Sequence, residues 1–413
     1  MITGARRVAT RAPCPIDKAD RARLDDVFLS CLREPDLTRS TGPLATLETT
    51  TDRSYVLQQS QRHRLVGLVR TQARSLGWDV PQLLPSYQHL NAVGYQLRLF
   101  EELRQLGMLF DRLDVPWLTF KGAVLAETAY PRPDFRSYGD IDMLIAPHHL
   151  RAALDGLAAA GATLYSEPWA ELERTRRSQL SLVTGKGLLL DLHWDLFNNP
   201  DVRRAFLLPS QDLLLRRRSC TTERGPLWTL DPADTVIHLA AHGAQSGGSL
   251  LVWVLDLHLV AQQVQDWPLV VQRARTARMG LVTAVMLARC QHLLGTRLPV
   301  GLLDELTEAR AWRRGMALLD AKRPPHHSVL GTGRLLVTST RNTTLGSAAQ
   351  LVRGSLQEAL LPFLQASDHP WRVALRRGAP PRVPAVPTLK SYDPTTPGPE
   401  RASFLTYVER GGA

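Results

Sequence analysis

Apolar residues recur at three- and four-residue spacing through much of the first hundred positions. "LVGLVRTQARSLG" (65–77) and "LNAVGYQLRLFEELRQLGMLFDRL" (90–113) carry that period, which predicts amphipathic helices between Asp25 and Gly107. The second run stops at "DVP", a helix-ending signal. The texture then changes. "PWLTF" (116–120) is short, apolar and rich in strand formers. "KGAVLAETAY" restarts a helix, "PRPDFRSYG" is a loop, and "DIDMLIA" (140–146) is a strand. "HHLRAALDGLAAAG" predicts a helix, "ATLYS" a strand, and "LSLVTGKGLLLDLHWDLF" (180–197) a hairpin turning at Gly185 to Gly187. From Asp231 the helical period returns in "DPADTVIHLAAHGAQ", "LLVWVLDLHLVAQQV", "PLVVQRARTARMGLVTAVMLARCQHLLG" and "VGLLDELTEARAWRRGMALL".

These patterns predict an α+β fold: a small mixed β-sheet core at 115–230, flanked by helical segments at 26–114 and 231–323. Residues 1–25 read as a loose basic N-terminus. Residues 324–377 carry a weaker, partly helical signal. Residues 378–413, with "GAPPRVPAVPTLKSYDPTTPGPE", read as an extended Pro-rich tail. No internal repeat is visible.

Composition adds three bounds. The 413 residues are 44% hydrophobic and 22% charged, enough apolar material for two or three cores. The net charge of +11 suits an anionic partner such as a nucleotide, a nucleic acid or a phosphorylated substrate, or reflects only an arginine-rich composition. The four cysteines, Cys14, Cys31, Cys220 and Cys290, form no CxxC pair and read as free thiols in a reducing compartment. No membrane-length stretch lacks charges or breakers, and the basic N-terminus has no apolar signal core, so the expected location is the cytoplasm.

The chemistry gathers in three places. In "GDIDMLI", Asp140 and Asp142 are two apart and share one strand face, where like charges resist burial. Upstream, Lys121 and Gly122 open a helix after a strand. Glycine there lets a phosphate approach the backbone, and the lysine adds a full charge. Downstream, Asp191 stands mid-strand among leucines, with His193 on its face and Trp194 on the other. A carboxylate there needs a metal or an ion pair, such as one with arginine. Three carboxylates on adjacent strands can hold two Mg²⁺, whose hard-oxygen preference extends to substrate phosphates. The bland alternative is a solvated strand end beside a simple turn.

The order of "LTFKGAVLAETAYPRPDFRSYGDIDMLIAP" and "LLLDLHWDLF" resembles the bacterial uncharacterised nucleotidyltransferase family of the DNA polymerase β-like superfamily. "VPWLTFKG", "VIHLAAHGA", "VWVLDLHLV" and "LLGTRLPVGLLDEL" extend the likeness from Leu65 to Leu306. The wider superfamily has Gly-Ser at the turn where this chain has Gly122-Ala123. The resemblance implies NMP transfer from an NTP, ATP first, to an acceptor hydroxyl or phosphate, with Mg²⁺ and release of pyrophosphate. It also implies Asp140, Asp142 and Asp191 as metal ligands, Asp191 alternatively as base, and Lys121, Gly122 and Arg136 at the triphosphate. Asp195 is the substitute for Asp191, and His193 is placed to orient it. His238 and His242, four apart, suit helix packing or the cleft wall; the arginines at 216–218 suit a solvated face or an anion patch. The acceptor is open: small molecule, sugar, peptide or protein. The rivals are a nucleic-acid-acting transferase, for which no RNA-binding signature is found, and a non-catalytic nucleotide-binding or interaction protein.

Overall fold

A computed structural model describes residues 17–33, 42–79, 86–164, 169–198, 200–245, 247–322, 326 and 393–410. Nearly all of the 324–377 segment lies outside them, as does Cys14. The chain is α+β. Its strands are β1 (Trp117–Thr119), β2 (Ile141–Ile145), β3 (Thr163–Leu164), β4 (Gln179–Val183), β5 (Leu189–His193), β6 (Arg218–Thr222) and β7 (Gly225–Thr229). They form one mixed sheet in the order β3-β4-β5-β2-β1-β7-β6. At its centre β2 pairs antiparallel with β1 and parallel with β5. The register sets Asp142 opposite Asp191 and Leu144 opposite His193. The β4–β5 hairpin turns where its glycines predict, with Gly187 at φ +75°, a conformation glycine adopts without strain.

Strand alternation divides the apolar residues between two cores. Ile141, Met143, Ile145, Leu190 and Leu192 pack with Leu99, Phe100 and Leu103 of the helix Ser86–Arg112 and with Leu154 and Leu157 of the helix Leu150–Ala159. Leu118, Phe120 and Leu144 belong to the other core. That core joins the helices Pro232–Gln245, Leu251–Gln263 and Gly280–Leu294 to the N-terminal helices Lys18–Arg33, Thr50–Arg62 and Val66–Ser75. The helices before the sheet are thus shared between its two faces. Asp142, Asp191 and His193, by strand parity with Leu144, sit on the face turned to the larger helical layer.

Two elements depart from the sequence reading. Pro399–Glu409, read as part of an extended tail, is a helix whose Phe404, Leu405 and Val408 are buried in the core on the opposite sheet face. Phe404 packs against Trp169 and Trp194 at ring separations of 5.3 and 5.8 Å. Pro399 stands in the first turn, where a missing N–H costs nothing, so a proline-rich surrounding does not prevent this helix. The β6–β7 hairpin carries no strand signal in sequence, because "RSCTT" is polar and Pro226 interrupts the second run. Cys31, Cys220 and Cys290 are free thiols. Among the described residues no helix is long and apolar enough to cross a membrane.

Candidate functional site

β1 delivers the chain through Phe120 and Lys121 into the helix Gly122–Thr128. Lys121 adopts φ 55° and ψ −144°, near a backbone region almost reserved for glycine, at a cost of about 1–3 kcal/mol. Gly122 follows at φ +27°, and a Cβ there would lie 3.9 Å from Asp142 Oδ2. The helix has only seven residues, so the local positive field comes mainly from the lysine. Its Nζ lies 2.8 Å from Asp142 Oδ1.

Asp142 is 4% exposed. The same Oδ1 lies 3.2 Å from His193 Nε2, and the Thr119 hydroxyl donates to the Asp142 backbone carbonyl at 2.8 Å. Burial alone would raise the Asp142 pKa. The Lys121 ammonium and the His193 contact outweigh burial and hold the carboxyl well below its usual range. In return, although burial disfavours the ammonium, Asp142 raises the Lys121 pKa. Asp140, half-buried at the start of the strand, is pushed up to about 6 by burial and by the neighbouring Asp142 charge, only partly offset by Lys121.

Asp191 accepts a hydrogen bond from Ser181 Oγ at 2.6 Å across the hairpin. No arginine pairs with it among the described residues, so arginine pairing does not account for this mid-strand carboxylate. Asp142, Asp191 and His193 each offer a ligand atom within 4.8 Å of the others. Two carboxylates and an imidazole converging in that way can hold a dication, and Asp140 stands one alternation along the same strand.

Phe120 turns its edge or face to His193 and to His238, at ring separations of 5.1 and 5.0 Å. His238 stacks on His242 at 5.8 Å, and His242 meets Trp253 at 5.6 Å. Both histidines are kept neutral by burial foremost, His242 down to about 3. Neither ring nitrogen of His238 has a hydrogen-bond partner among the described residues. The pair stacks as part of the helical wall and lies outside the converging ligand group.

Arg136 is only 6% exposed. Its Nε and Nη2 each donate to Asp256 at 2.8 Å, and Asp256 Oδ1 also accepts from the Tyr130 hydroxyl at 2.7 Å. Its guanidinium fork is therefore occupied. Asp195 accepts from the Phe197 backbone N–H and, pushed up to about 6 by burial, lines a cavity of about 490 Å³ with Trp194, Arg203, Pro209 and Glu409. That places it apart from the converging Asp142, Asp191 and His193 atoms. Arg216 pairs with Asp234, Arg217 lies over the Trp228 ring, and Arg218 begins β6.

Sequence reasoning missed Ser181, although counting outward from the Gly185 to Gly187 turn places it opposite Asp191. It also missed Asp256, which lies 120 residues from Arg136 and carries no local signal of that partnership.

A family model described as "uncharacterised nucleotidyltransferase" matches residues 49–295, more than half of the chain. The chain belongs to this family. The matched stretch contains the whole sheet, the strained turn, all three carboxylates and the wall of stacked histidines. Membership in a nucleotidyltransferase family implies a transferase reaction on a nucleotide substrate. No curated protein matches the chain.

Proposed function

We propose that this nucleotidyltransferase moves an NMP group from an NTP, ATP first among candidates, to a hydroxyl or phosphate of a small molecule, sugar, peptide or protein. The observation that carries this reading is Lys121, strained in its backbone and bound through its ammonium to Asp142, beside two carboxylates that no cation among the described residues pairs directly. Strain and like charge together persist where the surroundings over-determine them, and a nucleotide site gives both a use.

In this reading Asp140, Asp142 and Asp191 hold the dication. Bound there, Mg²⁺ would neutralise triphosphate charge and lower the cost of ionising the acceptor. Lys121 transfers its ammonium from Asp142 to phosphate oxygens when the NTP arrives, and Gly122 leaves room for those oxygens against the backbone. The acceptor oxygen attacks the α-phosphorus, and the bond from that phosphorus to the α–β bridging oxygen breaks. Pyrophosphate leaves with the bonding electrons. Asp191, oriented by Ser181, takes the acceptor proton. Arg136, with its fork taken up by Asp256, anchors the loop before β2 in this reading.

The arrangement of charge supports a small anion over a nucleic-acid track. The arginines are spread along the sequence with few adjacent aromatics, and several are tied to carboxylates of the chain: Arg136 with Asp256, Arg216 with Asp234, Arg224 with Glu127 and Arg289 with Asp320. Incubation with α-labelled NTP, Mg²⁺ and cell extract tests the proposal. Label entering a small molecule, peptide or protein is expected. Label entering RNA would favour the rival acceptor, and wild-type incorporation by Asp142→Asn would remove the proposed site.

A further inference from the structure

The carboxylates do not stand alone. β5 sets His193 two residues beyond Asp191 on one strand face, and the parallel register brings both beside Asp142. His193 Nε2 lies 3.2 Å from Asp142 Oδ1, an oxygen already bound by Lys121. The ring is 4% exposed, and its Nδ1 has no hydrogen-bond partner among the described residues. Here the imidazole is packed edge-on to Phe120, and its polar contact is directed at the carboxylate centre. Its ligand atom falls within 4.8 Å of those of Asp142 and Asp191.

We propose that His193 is itself a metal ligand and that the centre is a mixed nitrogen–oxygen site selecting a first-row transition dication over Mg²⁺. The inference rests on the reading of Asp142 and Asp191 as a dication site and deepens it. Mg²⁺ favours oxygen ligands and keeps several waters, so an imidazole adds little to its binding. First-row transition dications accept imidazole readily, and affinity for mixed nitrogen and oxygen sites rises along the series from Mn²⁺. Lys121 holds the shared oxygen when no dication is bound. It must be displaced from Asp142 for the metal to bind, and it is then available to the triphosphate.

The test uses Mn²⁺ as a paramagnetic probe on the full chain, without substrate turnover. In competition, Mn²⁺ should bind on the order of tenfold or more tightly than Mg²⁺. Pulsed electron paramagnetic resonance of bound Mn²⁺ should show coupling to a directly bonded imidazole ¹⁴N. His193→Ala should lose that coupling and lower the Mn²⁺-over-Mg²⁺ preference about tenfold. Asp142→Asn should abolish binding of both ions. Mn²⁺ bound to the wild type and lost in Asp142→Asn, but without ¹⁴N coupling, would overturn the histidine assignment and leave the carboxylate site standing. No Mn²⁺ binding to the wild type, or unchanged binding to Asp142→Asn, would overturn both. The wild-type spectrum decides even if His193→Ala fails to fold.

Discussion

Lys121–Asp142 and Arg136–Asp256 are both buried ion pairs, and they differ in how completely each is satisfied. Arg136 meets Asp256 with two 2.8 Å bonds, Tyr130 adds a third to the same carboxylate, and both charged side chains are at most 7% exposed. Lys121 makes one bond, keeps 18% of its side chain exposed, and shares Asp142 with a histidine. It also carries backbone strain and faces Asp140 and Asp191. A closed pair holds loop to helix. An open pair with surplus negative charge is ready to exchange its cation. The contrast teaches that burial and charge alone do not mark a functional site; the number of unmet partners does.

The largest expected effect tests the closed pair. Asp256→Asn leaves a buried guanidinium uncompensated and should destabilise by about 3–5 kcal/mol, read from the urea midpoint at constant slope. A loss below about 1 kcal/mol would remove the contrast. The open pair should respond differently. Lys121→Ala and Lys121→Gly both delete the ammonium, but only glycine releases the positive-φ strain. The glycine variant should be more stable than the alanine variant by about 1–3 kcal/mol, and neither should be stabilised by NTP. Equal stabilities would show that the turn is unstrained.

A smaller effect appears in the pH dependence. The Asp140 carboxyl is raised from 3.8 to about 6 in the folded chain, so folding favours its protonated form. Metal-free stability should therefore fall as pH rises from about 4 to 6, and Asp140→Asn should flatten part of that fall. Asp195, also raised to about 6, slopes the same way and supplies a remainder. Asp142, depressed, loses its contribution only below the ordinary carboxylate range. Urea unfolding at pH 4.5 and 6.5 measures the slope. An identical slope in Asp140→Asn would mean that Asp140 is not held against its neighbours.

Much of this contrast could be read from sequence on one side only. The Asp140–Asp142 spacing, the Lys121-Gly122 turn and the mid-strand Asp191 are local patterns, and strand parity turns each into a direction in space. The hairpin register also contained Ser181. The partnership of Arg136 with Asp256 was illegible, because it depends on how a helix 120 residues away docks on the sheet. The same limit hid the Pro399–Glu409 helix, since the apolar pocket that receives Phe404 is built by Trp169 and Trp194 from distant segments. The β6–β7 hairpin is illegible for a different reason: a polar edge strand beside a proline-bearing one looks like loop until β1 pairs with the proline-bearing strand.

The central claim is that Asp142 belongs to a nucleotide site and is not simply the partner of Lys121. Its most direct test is the stabilisation given by NTP with Mg²⁺ or Mn²⁺, using a non-hydrolysable α,β-analogue so that no turnover intervenes. At about a hundredfold excess over the dissociation constant, the wild type should gain about 2.7 kcal/mol. Asp142→Asn gives up the contact with Lys121, but that ammonium is partly exposed and keeps Asp140 and Asp191 nearby, so the variant should remain folded, and it should gain nothing. A folded Asp142→Asn variant that gained as much as the wild type would contradict the account.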